Sequence, residues 1–289
     1  MLGINTNVAS LTAQRNLSGS GIGLNNSIAR LSSGLRVNNA KDDAAGLAIA
    51  ERMTAQIRGF DVAARNANDG ISLLQVADGA MGKISDNMQR MRELAVQSKN
   101  GTLNSTDRVN LNREYVELAN EVERIATGTT FNGNAVFAAA NKSLAFQVGT
   151  GNATTDTLTL NLTDTGAAGG NDLQNILGGN AAGAIVTAFG DITSTTNAGN
   201  ALTAIDGALD DITGIRAVVG AGQSRLEQVA AFADISSTNL SAARGRIMDA
   251  DFAKETANLT RSQILQQAGT AMLAQANQLP NNVLSLLQG

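Results

Sequence analysis

The chain of 289 residues contains no cysteine, no histidine and no tryptophan. Without cysteine it cannot form disulfides or thiolate metal sites. Without histidine it lacks the commonest general base and metal ligand, so histidine-containing triads and the H-E-x-x-H zinc motif are excluded. We therefore predict that the protein is not an enzyme and that it uses no cofactor and no metal.

Aromatic residues make up only 3% of the chain, and Pro280 is the single proline. A core poor in aromatics must be built from aliphatic side chains and methionine, which suits closely packed helices without breakers. The net charge of −4, with no basic stripe, argues against a nucleic-acid partner. The N-terminal residues lack the pattern of a Sec signal peptide, and the C-terminal segment is too rich in Gln and Asn to span a membrane. We expect neither a Sec signal nor a membrane partner.

Both ends of the chain are almost free of charge: residues 262–289 carry none, and residues 1–29 carry only Arg15. Soluble proteins normally cover the outer face of a helix with charged side chains. An arm this short buries too little apolar surface to be stable alone, so we predict helical arms that fold on assembly with other copies. The apolar residues at helical spacing that we assign to this assembly surface are Ile4, Val8, Leu11, Leu24, Ile28, Leu31, Leu265, Met272, Leu279, Val283, Leu286 and Leu287.

Periodicity predicts three helices in the first half of the chain. The first ends near Gly34, and the second covers residues 44–99 with only Asp78 interrupting its apolar seam. The third begins at an N-cap at Ser105 or an adjacent residue and stops within residues 127–134.

Two further helices are predicted in the second half. One contains Leu202 to Ile247, with Arg216 and Gln223 falling on its seam. The other begins near Phe252, and Pro280 is expected to kink or end it.

The middle of the chain, about residues 130–195, is rich in Gly, Thr, Asn and Ala. Residues 144–148 and 157–162 have strand character, so we predict a β-hairpin, followed by a loop with one short helix at 166–183. The predicted fold is mainly α: a long coiled-coil-like helical hairpin or bundle with a small β-hairpin region at its tip. We expect two domains, the terminal arms (1–43 plus 246–289) and a helical domain (44–245).

Several distinctive sequence blocks lie in the two helical halves of the chain. The N-terminal blocks are Leu31–Arg36 (L-S-S-G-L-R), Ala40–Gly46 (A-K-D-D-A-A-G) and Arg65–Ser72 (R-N-A-N-D-G-I-S). The C-terminal blocks are Ala243–Asp251 (A-R-G-R-I-M-D-A-D) and Ser262–Asn277, followed by Pro280 and N-V-L-S-L-L. Together, and in this order, these blocks resemble those of bacterial flagellins, and the resemblance covers roughly residues 1–137 and 200–289.

This resemblance implies a secreted subunit of the extracellular filament that drives bacterial swimming. The arms would form the inner tube, D0, and the long helices the surrounding layer, D1, with little or no outer domain. The implied partners are other copies in a helical homopolymer, the flagellar type III export apparatus and an export chaperone, and the filament cap and hook-associated proteins. A hook–filament junction protein of related architecture is the alternative, and a coiled-coil adhesin or scaffold is a further one.

The resemblance also implies a host-side partner. The segment Gln89–Val96 is similar to the one that a Toll-like receptor recognises in flagellins, and its implied contacts are Gln89, Arg90, Glu93, Leu94 and Glu114. The alternative for Arg90 and Glu93 is an ordinary i,i+3 ion pair, with Leu94 packing against a neighbour. Leu286 and Leu287 similarly resemble leucines sensed by cytosolic immune receptors, or else form part of the buried tail.

Overall fold

A computed structural model describes residues 6–137, 143–161 and 188–287. The chain divides into two compact units, Met1–Ile57 with Thr238–Gly289, and Arg58–Ser237. The domain boundaries expected from the sequence, 43/44 and 245/246, concern the layers of an assembled filament and stay a prediction.

Five long helices account for most of the described residues, so the prediction of a mainly α fold is confirmed. They are α1 (Val8–Ser33), α2 (Ala44–Ser98), α3 (Ser105–Gly128), α4 (Thr195–Met248) and α5 (Phe252–Leu287). The strands are β1 (Thr130–Phe131), β2 (Asn134–Ala135), β3 (Ser143–Gln147) and β4 (Thr157–Asn161), and a short 3-10 turn lies at Thr154–Asp156.

Local chemistry explains where α1 ends and where α3 begins. Gly34 stops α1 because it adopts the left-handed conformation with φ of 71°, which glycine tolerates best. The predicted N-cap of α3 lies at Asn104, next to Ser105. Its side chain accepts from the backbone N–H of Asp107, while the Asp107 carboxylate accepts from the backbone N–H of Asn104.

The unit of residues 58–237 has a continuous apolar core. Met81, Met88 and Met91 of α2 are fully buried there with Tyr115 of α3 and Ile205 of α4. Because these positions recur every three or four residues, each helix buries one stripe and leaves the other faces to solvent.

The predicted β-hairpin is present and covers part of this core. Strands β3 and β4 are antiparallel, with Phe146 opposite Leu158 and Leu144 opposite Leu160. Leu158 and Leu160 are buried in the same core cluster as α2 and α4. The loop and short helix predicted at residues 166–183 lie outside the described residues.

The unit that contains both termini is built on the antiparallel pair α1 and α5. Where the pair meets the rest of its unit, Val37, Ala50 and Met248 form a small separate core. A single antiparallel bridge joins Leu35 to Asp249 beside it.

Of the two outcomes expected at Pro280, an end of the helix is wrong, because α5 continues to Leu287, and a kink stays a prediction. Proline removes one helical hydrogen bond, the one from its own missing N–H to the carbonyl four residues earlier. That carbonyl belongs to Ala276, and it accepts a hydrogen bond from Asn7 Nδ2 at 2.7 Å instead.

Candidate functional site

The paired helices α1 and α5 are the candidate functional site, because the sequence assigns the assembly surface to them. The pair is antiparallel, and its contacts run from Asn7 and Ser10 beside Ala276 and Asn277 to Arg30 beside Glu255. Between these ends, small residues bring the two helices close together. A Cβ atom at Gly269 would lie 3.2 Å from Leu17, and one at Gly23 would lie 3.4 Å from Ser262.

Very little of this pair is buried. Among the described side chains of α1 and α5, only Ser10, Ser27, Glu255 and Ala276 are buried. Every large side chain that is fully buried in the described structure belongs instead to residues 58–237. Over its described side chains the pair therefore lacks the apolar core that normally stabilises packed helices.

The outer faces of the pair carry exposed apolar side chains. Val8 and Met272 are each 65% exposed, and Leu265 is 53% exposed. These three residues line a groove of about 480 Å³ between the helices, together with Thr12 and Gly269. An apolar groove of this kind is a typical feature of a surface that another protein covers.

The other residues assigned to the assembly surface fall into three groups. Leu11 and Ile28 are exposed, whereas Leu24 and Leu31 are half-buried. Ile4 lies outside the described residues. The backbone positions of Leu279, Val283, Leu286 and Leu287 belong to α5, but their side chains are not among those described.

A charged cluster occupies the positions implied for receptor contact. Arg90 donates from Nε and Nη2 to Glu114 Oε1 at 3.0 and 2.9 Å, and from Nη1 to Glu93 Oε2 at 2.8 Å. These hydrogen bonds, that to Glu93 first, raise the pKa of Arg90. Gln89 is exposed beside them, whereas Leu94 is only 1% exposed and packs in the core. The i,i+3 pair expected from the sequence, Arg90–Glu93, is thus present within α2, and Arg90 also joins α2 to α3 through Glu114.

The sequence interpretation missed the polar contacts between α1 and α5. Asn7, Ser10 and Glu255 were not among the predicted site residues, although all three bind across the pair. A signal for one of them was available: a proline inside a predicted helix leaves a carbonyl without its usual donor. The residue that supplies the new donor lies 269 positions away in the chain and cannot be identified from local pattern.

Comparison with known proteins identifies the chain's relatives. The model of the bacterial flagellin N-terminal helical region matches residues 4–142, and that of the C-terminal helical region matches residues 202–287. A flagellin of Halalkalibacterium halodurans is 46% identical over 290 residues, with 99% of both chains covered. The chain belongs to the bacterial flagellin family.

A second relative agrees with this family, and a solved structure is similar to part of this chain. Flagellin A of Vibrio cholerae is 38% identical over an alignment of 379 residues that covers 99% of this chain and all of the relative. The crystal structure of Bacillus cereus flagellin shares 32% identity over 62% of this chain and 94% of the other, with a TM-score of 0.48.

Family membership settles the function at the level of the molecule. The chain is a structural subunit that polymerises with its own copies into the extracellular flagellar filament, and it is not an enzyme. The relatives give no support to the hook–filament junction alternative. Within the described residues no helix is both long and apolar enough to cross a membrane.

Proposed function

We propose that α1 and α5 are the surface by which the subunits bury one another, and that these helices become ordered only in the filament. The observation that carries this proposal is the contrast in burial: among the described side chains, the pair α1–α5 buries no large apolar one, while its outer faces expose Val8, Leu265 and Met272. Neighbouring copies would supply the missing half of the core. Folding would then be coupled to association.

The same division supports two structural layers in the assembled filament. In this proposal residues 1–43 and 246–289 form the core of the filament, and residues 44–245 form the layer around it. The low charge of the arms supports the assignment, since burying an unpaired charge costs far more than burying a hydrogen-bonded amide. Truncation of residues 1–20 or 270–289 is then expected to leave a soluble helical subunit that does not polymerise.

Substitution of Leu265 tests the assembly surface at one residue. Leu265→Gln removes apolar surface that a neighbouring copy would cover, whereas Leu265→Met keeps it. With about half of the side chain still to be buried, the loss is roughly 1 kcal/mol per subunit, or about a fivefold rise in critical concentration. The critical concentration is measured by sedimentation of filaments grown from seeds.

Leu265→Met serves as the control and is expected to polymerise like the parent. Both variants should give the same circular dichroism spectrum and melting temperature for the unit of residues 58–237, because residue 265 lies outside it. Equal critical concentrations for the Gln variant and the parent would contradict the proposal.

We also propose the remaining partners that the family resemblance implies. These are the flagellar export apparatus with its chaperone, the filament cap and the hook-associated proteins. Undiminished secretion from cells that lack the export apparatus would contradict this part.

The charged cluster on α2 and α3 supports a second, host-side role. We propose that Gln89, Arg90, Glu93 and Glu114 contact a Toll-like receptor, with Leu94 holding this segment of α2 in the core. Arg90 and its two carboxylate partners form an exposed, hydrogen-bonded charged cluster whose net charge is negative. Receptor binding that is unchanged in Arg90→Ala monomer would contradict this role.

A further inference from the structure

The side-chain amide of Asn7 joins the start of α1 to the far end of α5. Its Oδ1 accepts from the backbone N–H of Ser10 at 3.0 Å and so caps the first turn of α1. Its Nδ2 donates to the carbonyl oxygen of Ala276 at 2.7 Å. One side chain thus satisfies a free donor in one helix and an acceptor in the other.

The chain's single proline explains why this acceptor is available. In an α-helix the carbonyl of residue i accepts from the N–H of residue i+4. For Ala276 the residue at i+4 is Pro280, which has no N–H. Ala276 is buried, so water has little access to the freed carbonyl. A buried acceptor without a donor is unfavourable, and Asn7 removes that penalty.

A second hydrogen bond lies beside the first. Ser10 Oγ donates to Asn277 Oδ1 at 2.8 Å, and Ser10 is one of the few buried polar residues in the described structure. We call Asn7, Ser10, Ala276, Asn277 and Pro280 the Asn7 cluster.

The apolar contacts between α1 and α5 define the axial register poorly. The central part of α1 is Ser18–Gly23 (S-G-S-G-I-G), which offers few side chains of distinct shape. At the other end of the pair, Arg30 and Glu255 approach to 4.0 Å, and Glu255 is the only charged residue that is buried in the described part of the chain. Fixing the register of paired helices is the best-attested role of buried polar residues of this kind.

We propose that the Asn7 cluster sets the register of α1 against α5, and that Pro280 determines it by freeing a carbonyl that Asn7 reaches in one register only. The inference rests on the proposed assembly role of the two helices. A pair displaced by a heptad would present a different outer face to its neighbours and would be incorporated into the filament less readily. Pro280 therefore acts as a positioning residue for self-assembly.

A double-mutant cycle tests the coupling between Asn7 and Pro280. Asn7→Ser retains an N-cap oxygen for α1 but is too short to reach Ala276 as well. We expect it to raise the critical concentration for filament growth by about tenfold, which corresponds to the loss of one hydrogen bond to a buried acceptor. Pro280→Ala restores the N–H at residue 280 and gives Ala276 its helical partner, so in that background Asn7→Ser is expected to cost less than about threefold.

Register itself can be measured by disulfide formation, because the chain has no cysteine of its own. The pair Gly23→Cys with Ser262→Cys joins positions that face each other. The pair Gly23→Cys with Gly269→Cys joins positions displaced by one heptad and is the matched control. In filaments we expect only the facing pair to cross-link, and in Asn7→Ser or Pro280→Ala filaments we expect the displaced pair to gain at the expense of the facing pair.

Two results would overturn the inference. One is a rise in critical concentration on Asn7→Ser that is the same in the parent chain and in the Pro280→Ala background. The other is a disulfide cross-linking pattern that neither Asn7→Ser nor Pro280→Ala changes. If Pro280→Ala subunits do not polymerise alone, they are carried into filaments as a minority among parent subunits. The disulfide cross-links of the variant subunits are then measured in these mixed filaments, and the same two results apply. Filaments that form from subunits truncated at the arms would contradict the proposed function. Filaments that need the arms, but whose critical concentration shows no coupling between Asn7 and Pro280, would contradict only the role of the Asn7 cluster.

Discussion

At the scale of single residues, Tyr115 shows how far the core of residues 58–237 excludes water. It is the only tyrosine of the chain, and its side chain is fully buried. Its hydroxyl has no hydrogen-bond partner among the described residues. Burial raises the pKa of this phenol, and the negative charge of Asp191 raises it further. The Asp191 carboxylate has its own donors in Asn197 and Thr193, which lower its pKa.

The raised pKa of Tyr115 predicts a loss of stability at high pH. An unfolded tyrosine ionises near pH 10, whereas the buried phenol stays neutral above that pH. The unfolded state therefore releases a proton first, and the contribution of Tyr115 to stability, complete below about pH 10, falls as the pH rises further. Because Tyr115 is the only tyrosine, phenolate absorbance near 295 nm reports its ionisation alone. We expect absorbance and unfolding to change together above pH 10; ionisation at pH 10 in the folded protein would contradict this.

Tyr115→Phe removes the unpartnered hydroxyl with little change in volume. We expect unchanged stability or a gain of about 1 kcal/mol at neutral pH, since no hydrogen bond is lost. The free energy of unfolding should also fall less steeply as the pH rises above about 10. Both effects are measured by urea unfolding at pH 7 and pH 11, and a loss of more than about 1 kcal/mol at pH 7 would show that the hydroxyl has a partner after all.

Two charged residues that the sequence pattern placed on apolar seams lie beside those seams instead. In α2 the buried position is Ala77 and not Asp78, and in α4 it is Ile215 and not Arg216. The two charges pair with each other, Arg216 Nε lying 2.8 Å from Asp78 Oδ1. Periodicity identified both helices correctly. Their rotation by one residue depends on contacts between helices that are far apart in the sequence.

At the scale of secondary-structure elements, glycines in α2 and α4 leave room for the β-hairpin. A Cβ atom at Gly222 would lie 2.7 Å from a methyl carbon of Leu160 on β4 and 3.3 Å from one of Leu74 on α2. A Cβ atom at Gly70 would lie 2.9 Å from the ring of Phe146 on β3. The hairpin thus packs closely against both helices, and the glycines have a steric reason to stay small.

Alanine at two nearby glycines of α4 should have opposite effects. Gly222→Ala crowds two buried leucines and is expected to destabilise the unit of residues 58–237 by about 1–3 kcal/mol. Gly220 has open space around the position of a Cβ atom, so Gly220→Ala is expected to stabilise the helix by up to about 1 kcal/mol. Denaturant unfolding of both variants measures the difference, and equal effects would contradict the close packing of the hairpin.

The ends of the helices and strands were largely predictable from the sequence, whereas the residues that contact one another across the fold were less so. Gly34 and the residues around Asn104 mark helix ends by local chemistry, and the alternation in β4 predicts a strand. The continuation of α5 past Pro280 was not predictable, because it is accompanied by a hydrogen bond from Asn7 at the opposite end of the chain. Family resemblance supplied the assembly role, but not the polar contacts that join α1 to α5.

At the scale of the whole molecule, the two units differ in what stabilises them. The unit of residues 58–237 contains all of the large, fully buried side chains in the described structure, and ion pairs such as Arg92–Asp206 at 2.6 Å join its helices at the surface. Among its described side chains, the pair α1–α5 has no large buried apolar residue, and it carries few charges. We expect the first unit to be folded in the free subunit, and α1 and α5 to gain most of their stability from neighbouring copies.

Hydrogen exchange of monomer and filament, resolved to peptides, tests this claim most directly. We predict that peptides from residues 8–33 and 252–287 exchange within seconds in the monomer and become protected by at least about a hundredfold in the filament. Peptides from α2 and α3 within residues 58–128 should be protected in both states and serve as the internal control. Equal, strong protection of α1 and α5 in monomer and filament would contradict the account, because the two helices would then be stable without their neighbours.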